Sequence, residues 1–147
     1  MNPRELQSRV GEIIGTSHWF MIDQERIDRF ADATEDHQFI HVDPEQARDS
    51  PFGQTIAHGF LILSMLAPLM TTSCPALDVR MSVNYGFNKL RFLAPVKSGK
   101  RIRGQFKLIE LAEKRPGQWQ QTVEGTVEIE GEDKPALIAE WIFQHLE

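Results

Sequence analysis

Residues 55–70 read Thr-Ile-Ala-His-Gly-Phe-Leu-Ile-Leu-Ser-Met-Leu-Ala-Pro-Leu-Met, and the wider stretch 50–77 carries no Asp, Glu, Lys or Arg. The run is apolar nearly all round. About 20 such residues suffice to span a bilayer, but His58, Gly59, Ser64 and Pro68 interrupt this run and polar, amphipathic sequence flanks it on both sides. A helix buried on most sides inside a soluble domain is the reading that fits. Pro68 is expected to bend or end it, because proline removes one N–H and crowds the preceding turn.

Toward the N-terminus, residues 23–34 read as a helix with Asp23 as N-cap and with Ile27, Phe30 and Ala31 on one face. Asp43-Pro44-Glu45 is a second helix start, a capping carboxylate followed by proline at the first helical position. Residues 35–42 between them are a connection that holds Asp36, His37 and His41. Toward the C-terminus the period becomes two. Ile102, Gly104, Phe106 and Leu108 alternate with Arg101, Arg103, Gln105 and Lys107, and Val123, Val127 and Ile129 alternate with Glu124, Glu128 and Glu130. Residues 77–93 form a further strand. There Val79, Met81, Val83, Tyr85 and Phe87 share one parity while Leu90 and Phe92 take the other, so a bulge is expected near Asn88-Lys89. Residues 135–145 are apolar on both parities, as in a central strand. Residues 115–118 and 130–134 are hairpin turns. These elements make one long antiparallel sheet with one apolar helix on its dry face, an α+β class, and the N-terminal helices or a second subunit must complete the cover.

A chain of 147 residues, 41% apolar and 25% charged, buries enough surface to fold as a single domain, 1–147, without a disulfide or metal staple. Its one cysteine, Cys74, excludes an internal disulfide framework and a Cys-based zinc cluster, and fits a reducing compartment. The start, Met1-Asn2-Pro3-Arg4-Glu5-Leu6-Gln7, lacks a secretory pattern, so a cytoplasmic location is expected. A net charge of -5 argues against a nucleic-acid binder. Residues 89–115 nevertheless hold nine of the 16 Lys and Arg. This basic middle reads either as solvated strand faces or as a contact for an anionic group.

Asp36 and His41 flank Phe39 and Ile40 in the connection. A carboxylate and an imidazole held together beside apolar residues make a general acid–base pair. A separation of five is no helix-face spacing, so only a specific loop shape brings them together; otherwise Asp36 turns the chain and His41 merely packs. His58-Gly59-Phe60 lies at the amino end of the apolar helix, where the first N–H groups lack intrahelical partners. Gly59 either admits an oxygen close to its N–H or allows close helix–sheet packing. A metal site could draw on Asp36, His37, His41, Asp43 and His58, but the lack of Cys ligands and of a His pair on one helix face argues for none. His37 is expected to face solvent, Asp43 to cap, and His58 either to line a pocket or to bond to backbone.

Residues 36–45, Asp-His-Gln-Phe-Ile-His-Val-Asp-Pro-Glu, together with Phe52-Gly-Gln-Thr-Ile-Ala-His58-Gly59-Phe60, resemble the MaoC-like dehydratases, which include the R-specific enoyl-CoA hydratases. Asn84-Tyr-Gly-Phe-Asn-Lys-Leu-Arg-Phe92 and Ala94-Pro-Val96 look like the branch that contains nodulation protein N. The resemblance implies a hotdog fold, two subunits joined edge to edge, and addition of water to trans-2-enoyl thioesters to give R-3-hydroxyacyl thioesters. It places the catalytic groups on Asp36 and His41 and the carbonyl-binding N–H on Gly59. The segments that carry it offer Phe39, Ile56, Ala57, His58, Asn84, Tyr85 and Gly86 as substrate contacts. No cofactor is implied. CoA or the phosphopantetheine arm of an acyl-carrier protein is the substrate's handle, with Lys89, Arg91, Lys97, Lys100, Arg101 and Arg103 as phosphate candidates. Gln38-Phe39 stands where many relatives have Asn-Pro, and Ala67 where some hydratases have a serine. A hotdog thioesterase would use a carboxylate and the same helix end but needs no such histidine; a non-catalytic acyl-thioester-binding module would need neither.

Overall fold

The computed structural model describes residues 1–147. Six strands, β1 (Ile13–Thr16), β2 (Phe20–Ile22), β3 (Met81–Phe92), β4 (Lys100–Arg115), β5 (Gln118–Ile129) and β6 (Leu137–Leu146), form one sheet. Its order is β1-β4-β5-β6-β3, with β2 also on β4, and every pairing is antiparallel. Six short helices accompany it: α1 (Pro3–Gln7), α2 (Gln24–Thr34), α3 (Phe39–Val42), α4 (Pro44–Ala47), α5 (Gly59–Ser64) and α6 (Leu66–Thr71). No helix is long and apolar enough to cross a membrane.

The apolar run forms a rod, α5 and then α6, on the dry face of the sheet. Leu61, Ile62, Met65, Leu66 and Leu69 share one core with Ile102, Phe106, Val123, Val127, Leu137 and Trp141. Each such Leu or Ile contributes roughly 1.5–3 kcal/mol on burial. The rod lies close to the sheet because Gly104 leaves room: a Cβ there would sit 2.9 Å from the Leu69 Cβ. The expected bend falls at Met65, between α5 and α6. Pro68 explains it, since a proline cannot bond to the carbonyl four residues earlier, that of Ser64, and its ring crowds that turn. The rod is not covered all round. Phe60, Ser64, Ala67 and Thr71 form an exposed stripe that the N-terminal helices leave open.

An α+β hotdog arrangement, a long antiparallel sheet against a central apolar helix, is therefore what the chain adopts. Strand β3 departs from its reading. The bulge expected near Asn88-Lys89 is present between Phe87 and Lys89, and a second falls between Asn84 and Gly86. Each bulge reverses the facing of the residues beyond it. Phe87 pairs with Trp141, Leu90 with Ala139 and Phe92 with Leu137, so these three face the rod, as do Ser82 opposite His145 and Asn84 opposite Phe143. Met81 and Val83 lie on the outer face, exposed. The parity that joined Met81, Val83 and Phe87 on one face is thus corrected.

His145 is buried at the end of β6, with one ring nitrogen 2.7 Å from the Ser82 Oγ and the other 2.7 Å from the Gln121 Oε1. Burial pushes its pKa down to about 4 from the usual 6.5. A folded-state value below the unfolded one means that the unfolded chain takes up the proton first as pH falls. The stability from a neutral His145 is complete above about pH 6.5 and is lost down to about pH 4, on the order of 3 kcal/mol. Urea unfolding at pH 7, 5.5 and 4 should show this decline, and His145→Asn should flatten it; an equally steep decline in the variant would refute the assignment.

Candidate active site

Helix α2 begins where the Asp23 carboxylate accepts the Arg26 N–H at 2.9 Å, and it ends at Glu35. Glu35 has φ 62°, the left-handed conformation that stops a helix and turns the chain. Asp36 comes next, on the surface. The connection is more ordered than a plain loop: residues Phe39–Val42 make one helical turn that swings His41 inward. Asp43 then closes this turn, and its carboxylate accepts the Gln46 N–H at 3.0 Å to start α4, with Pro44 at the first position. Asp36 and His41 converge because the turn at Glu35 redirects the chain just before Asp36 and the helical turn Phe39–Val42 then carries His41 back toward it.

The Nδ1–H of His41 donates to the Ile56 carbonyl at 2.8 Å, and Ile56 N–H donates to the Ile40 carbonyl at 2.9 Å. A carbonyl only accepts, so the proton is on Nδ1 and Nε2 is left as a base. Burial, foremost, holds this imidazole below its usual 6.5; the Ile56 carbonyl opposes, His58 adds to the lowering, and Asp36 opposes. His58 lies beneath, 2% exposed, donating Nε2–H to the Asp36 backbone carbonyl at 2.9 Å. Its ring stacks on His41 at 3.9 Å between centroids and 25° between planes, and Phe30 closes its other side at 4.9 Å. Donor atoms of Asp36, His41 and His58 lie within 4.8 Å of one another. Two rings this nearly parallel do not aim their in-plane lone pairs at one point, so the cluster suits proton transfer better than tetrahedral metal ligation.

Gly59 is the first residue of α5. The N–H groups of Leu61 and Ile62 both turn back to the His58 carbonyl, at 3.1 and 3.2 Å, whereas the N–H of a first helical residue has no intrahelical acceptor. Gly59 and His41 are on the wall of a cavity of about 300 Å³, with Phe52, Ile56, Ala57, Ile62, Phe92 and Val96 around it. Apolar walls with a few polar groups on one side are the usual make-up of a small-molecule site. A larger depression of about 440 Å³ between Trp19, Arg103 and Glu128 is polar and lies on the other face of the sheet.

Of the residues singled out from sequence, Asp36, His41, Gly59, Ile56 and Ala57 are brought together. Phe39 starts α3 and is 38% exposed, outside the cavity wall. His58 bonds to backbone and does not line the cavity. Asn84 accepts the Trp141 indole N–H at 3.1 Å, Tyr85 occupies a bulge and Gly86 turns outward; none borders the cavity of its own subunit. His37 is at the surface, 2.9 Å from Asp32, and Asp43 caps, as expected. Phe52, Phe92 and Val96 were missed as lining residues. Phe92 had a signal in its reversed parity; Phe52 and Val96 had one only in standing within the segments that carry the resemblance.

Three of the nine cations of the basic middle, Arg101, Arg103 and Lys114, form ion pairs, with Glu130, Glu128 and Glu110. Antiparallel register sets Arg103 against Glu128 and Lys107 against Glu124. Arg103 is bonded to Glu128 and lies over the Trp19 ring at 4.5 Å, and Arg101 is bonded in parallel to Glu130. Lys89 and Arg91 share the outer face of β3. Lys97 is the candidate cation that touches the site, through a β-bridge to Ile56.

A family model described as a MaoC like domain matches residues 5–132, most of the chain and somewhat more N-terminal sequence than the motifs cover. The chain belongs to the MaoC-like dehydratases. This MaoC-like dehydratase is 50% identical over 140 residues to nodulation protein N of Rhizobium leguminosarum bv. viciae, covering 94% of this chain and 87% of that one. It is 46% identical over 142 residues to 3-hydroxyacyl-thioester dehydratase Z of Mycobacterium tuberculosis (strain H37Rv), covering 97% and 94%. Among solved structures it is similar to the monoamine oxidase regulatory protein from Archaeoglobus fulgius, with TM-score 0.78, 25% identity and coverage of 94% and 90%. The expectation of a hydro-lyase family is met at that level.

Proposed function

We propose that the protein hydrates trans-2-enoyl thioesters to R-3-hydroxyacyl thioesters and catalyses the reverse dehydration. One observation carries the reading: the Asp36 carboxylate and the His41 imidazole converge beside an apolar cavity on whose wall Gly59 starts a helix. A relative of 46% identity named for dehydrating 3-hydroxyacyl thioesters supports it. The thioester carbonyl accepts the Gly59 N–H, which draws electron density from C3 and stabilises the enolate oxygen that forms. A water held between Asp36 and His41 adds its oxygen to C3 and yields a proton to the pair. A proton then passes from the pair to C2, so one water is consumed and the pair returns to its starting state. The steps need no metal or redox group.

CoA, or the phosphopantetheine arm of an acyl-carrier protein, serves as the handle. Lys97 is the cation proposed to meet its phosphate, because its backbone bridges to Ile56 on the cavity wall, while Arg101 and Arg103 are already paired with Glu130 and Glu128. The functional unit is a homodimer joined along β3, built from single-domain chains working in the cytoplasm. Incubation with crotonyl-CoA and longer enoyl-CoAs tests the activity. The expected outcome is loss of enoyl-thioester absorbance with formation of the R-3-hydroxyacyl product by chiral analysis. Release of free CoA without a hydroxyacyl thioester would make the protein a thioesterase and overturn the reading; no reaction with any thioester would favour a binding module.

A further inference from the structure

We propose that His58 is a positioning residue that binds the acid–base pair into one unit, holding the Asp36 peptide with its Nε2–H and the His41 ring with its face. The proposal rests on the hydratase reading above and assigns His58 no contact with substrate. His58 touches every part of the site. Its side chain spans 22 positions of sequence to the Asp36 carbonyl, at 2.9 Å. The ring face meets His41 at 3.9 Å. Its backbone carbonyl receives the Leu61 and Ile62 N–H groups, which fixes the helix start that bears Gly59.

The same contact fixes which His58 nitrogen carries the hydrogen that the Asp36 carbonyl receives. The Asp36 carbonyl can only accept, so the proton is on Nε2. The other nitrogen, Nδ1, is buried without a hydrogen-bond partner. The ring thus holds the Asp36 peptide by its edge and His41 by its face. This matters for His41, whose own Nδ1–H is tied to Ile56 and whose ring tilt is set by the plate beneath it. The titratable groups acting on His41 are Asp36 from the connection and His58 from the start of α5; α2 reaches it through uncharged Gln24, whose amide donates to the His41 carbonyl at 2.7 Å.

Two variants and one spectrum test this. His58→Leu keeps bulk and removes both the donor and the imidazole; hydration kcat should fall ~10- to 100-fold with KM nearly unchanged, the usual cost of misplacing reacting groups. His58→Gln restores an Nε2–H donor and should recover most of the loss. Imidazole ¹⁵N spectra of the wild type should show a hydrogen on His58 Nε2 that is bonded to the Asp36 carbonyl, a readout independent of turnover and of whether His58→Leu folds. A His58 Nε2 without that bonded hydrogen overturns the proposal, as does wild-type kcat in a folded His58→Leu, or an equal loss in both folded variants. A wild type that hydrates no enoyl thioester sinks the hydratase reading alone, while the spectrum still decides the placement of His58.

Discussion

Asp36→Asn and His41→Gln should each lower kcat for enoyl-CoA hydration by at least ~10²-fold, the scale of a lost acid–base group. Asp36 is on the surface and its carboxylate accepts one long bond, from the Gln38 N–H at 3.4 Å. Asparagine there should leave thermal stability unchanged, so a loss of rate in that variant reports chemistry. His41 is buried and anchored to Ile56, so His41→Gln must first be shown to be folded. Burial leaves the His41 imidazole neutral at pH 7 and ready to accept a proton. The acidic limb of the kcat/KM profile should accordingly fall below pH 6.5 in the wild type and vanish in His41→Gln. Near wild-type rates in both variants would remove the pair from the mechanism.

The second large effect concerns assembly. The wild type should run as a dimer in light scattering at micromolar concentration, and Val83→Lys combined with Tyr85→Lys should run at the monomer mass of 16.8 kDa. Strand β3 is at the sheet edge, bonded on one side to β6 and open on the other. It exposes Met81 at 45%, Val83 at 47%, Tyr85 at 63% and Phe92 at 50%. An open apolar edge of this length is an invitation to pair unless a partner covers it. A second copy pairing antiparallel about a two-fold axis satisfies both edges at once. Like charges set against each other across such an axis cost several kcal/mol, enough to weaken association by more than ~10²-fold. A monomeric wild type, or a dimeric double variant, would refute this.

Much of the fold was legible because burial imposes a period on sequence. The rod, the alternation of β4 and β5 and the caps at Asp23 and Asp43 are local patterns, and each has its place in the structure. The facing of β3 was not legible, since a bulge at Tyr85 has no compositional mark and places Ser82 and Asn84 on the dry side. The site was half legible. Asp36, His41 and Gly59 stood out by residue type, but the bond from His58 to the Asp36 carbonyl joins positions 22 apart and leaves no trace in either segment. The basic segment stayed open for a related reason: whether Arg103 is free or paired depends on a register that sets it against Glu128.

The strand order also governs how the chain is assembled at the ribosome. Phe92 of β3 pairs with Leu137 of β6, so roughly 45 further residues must be polymerised before β3 meets its neighbour. At ordinary elongation rates that is about 2–9 s. The β4–β5 hairpin, closed by a tight turn at Gly117, is available much sooner as a template. Until β6 is delivered, the stickiest edge of the nascent polypeptide has nothing of its own to lie against, and this interval is when shielding by a chaperone would matter most.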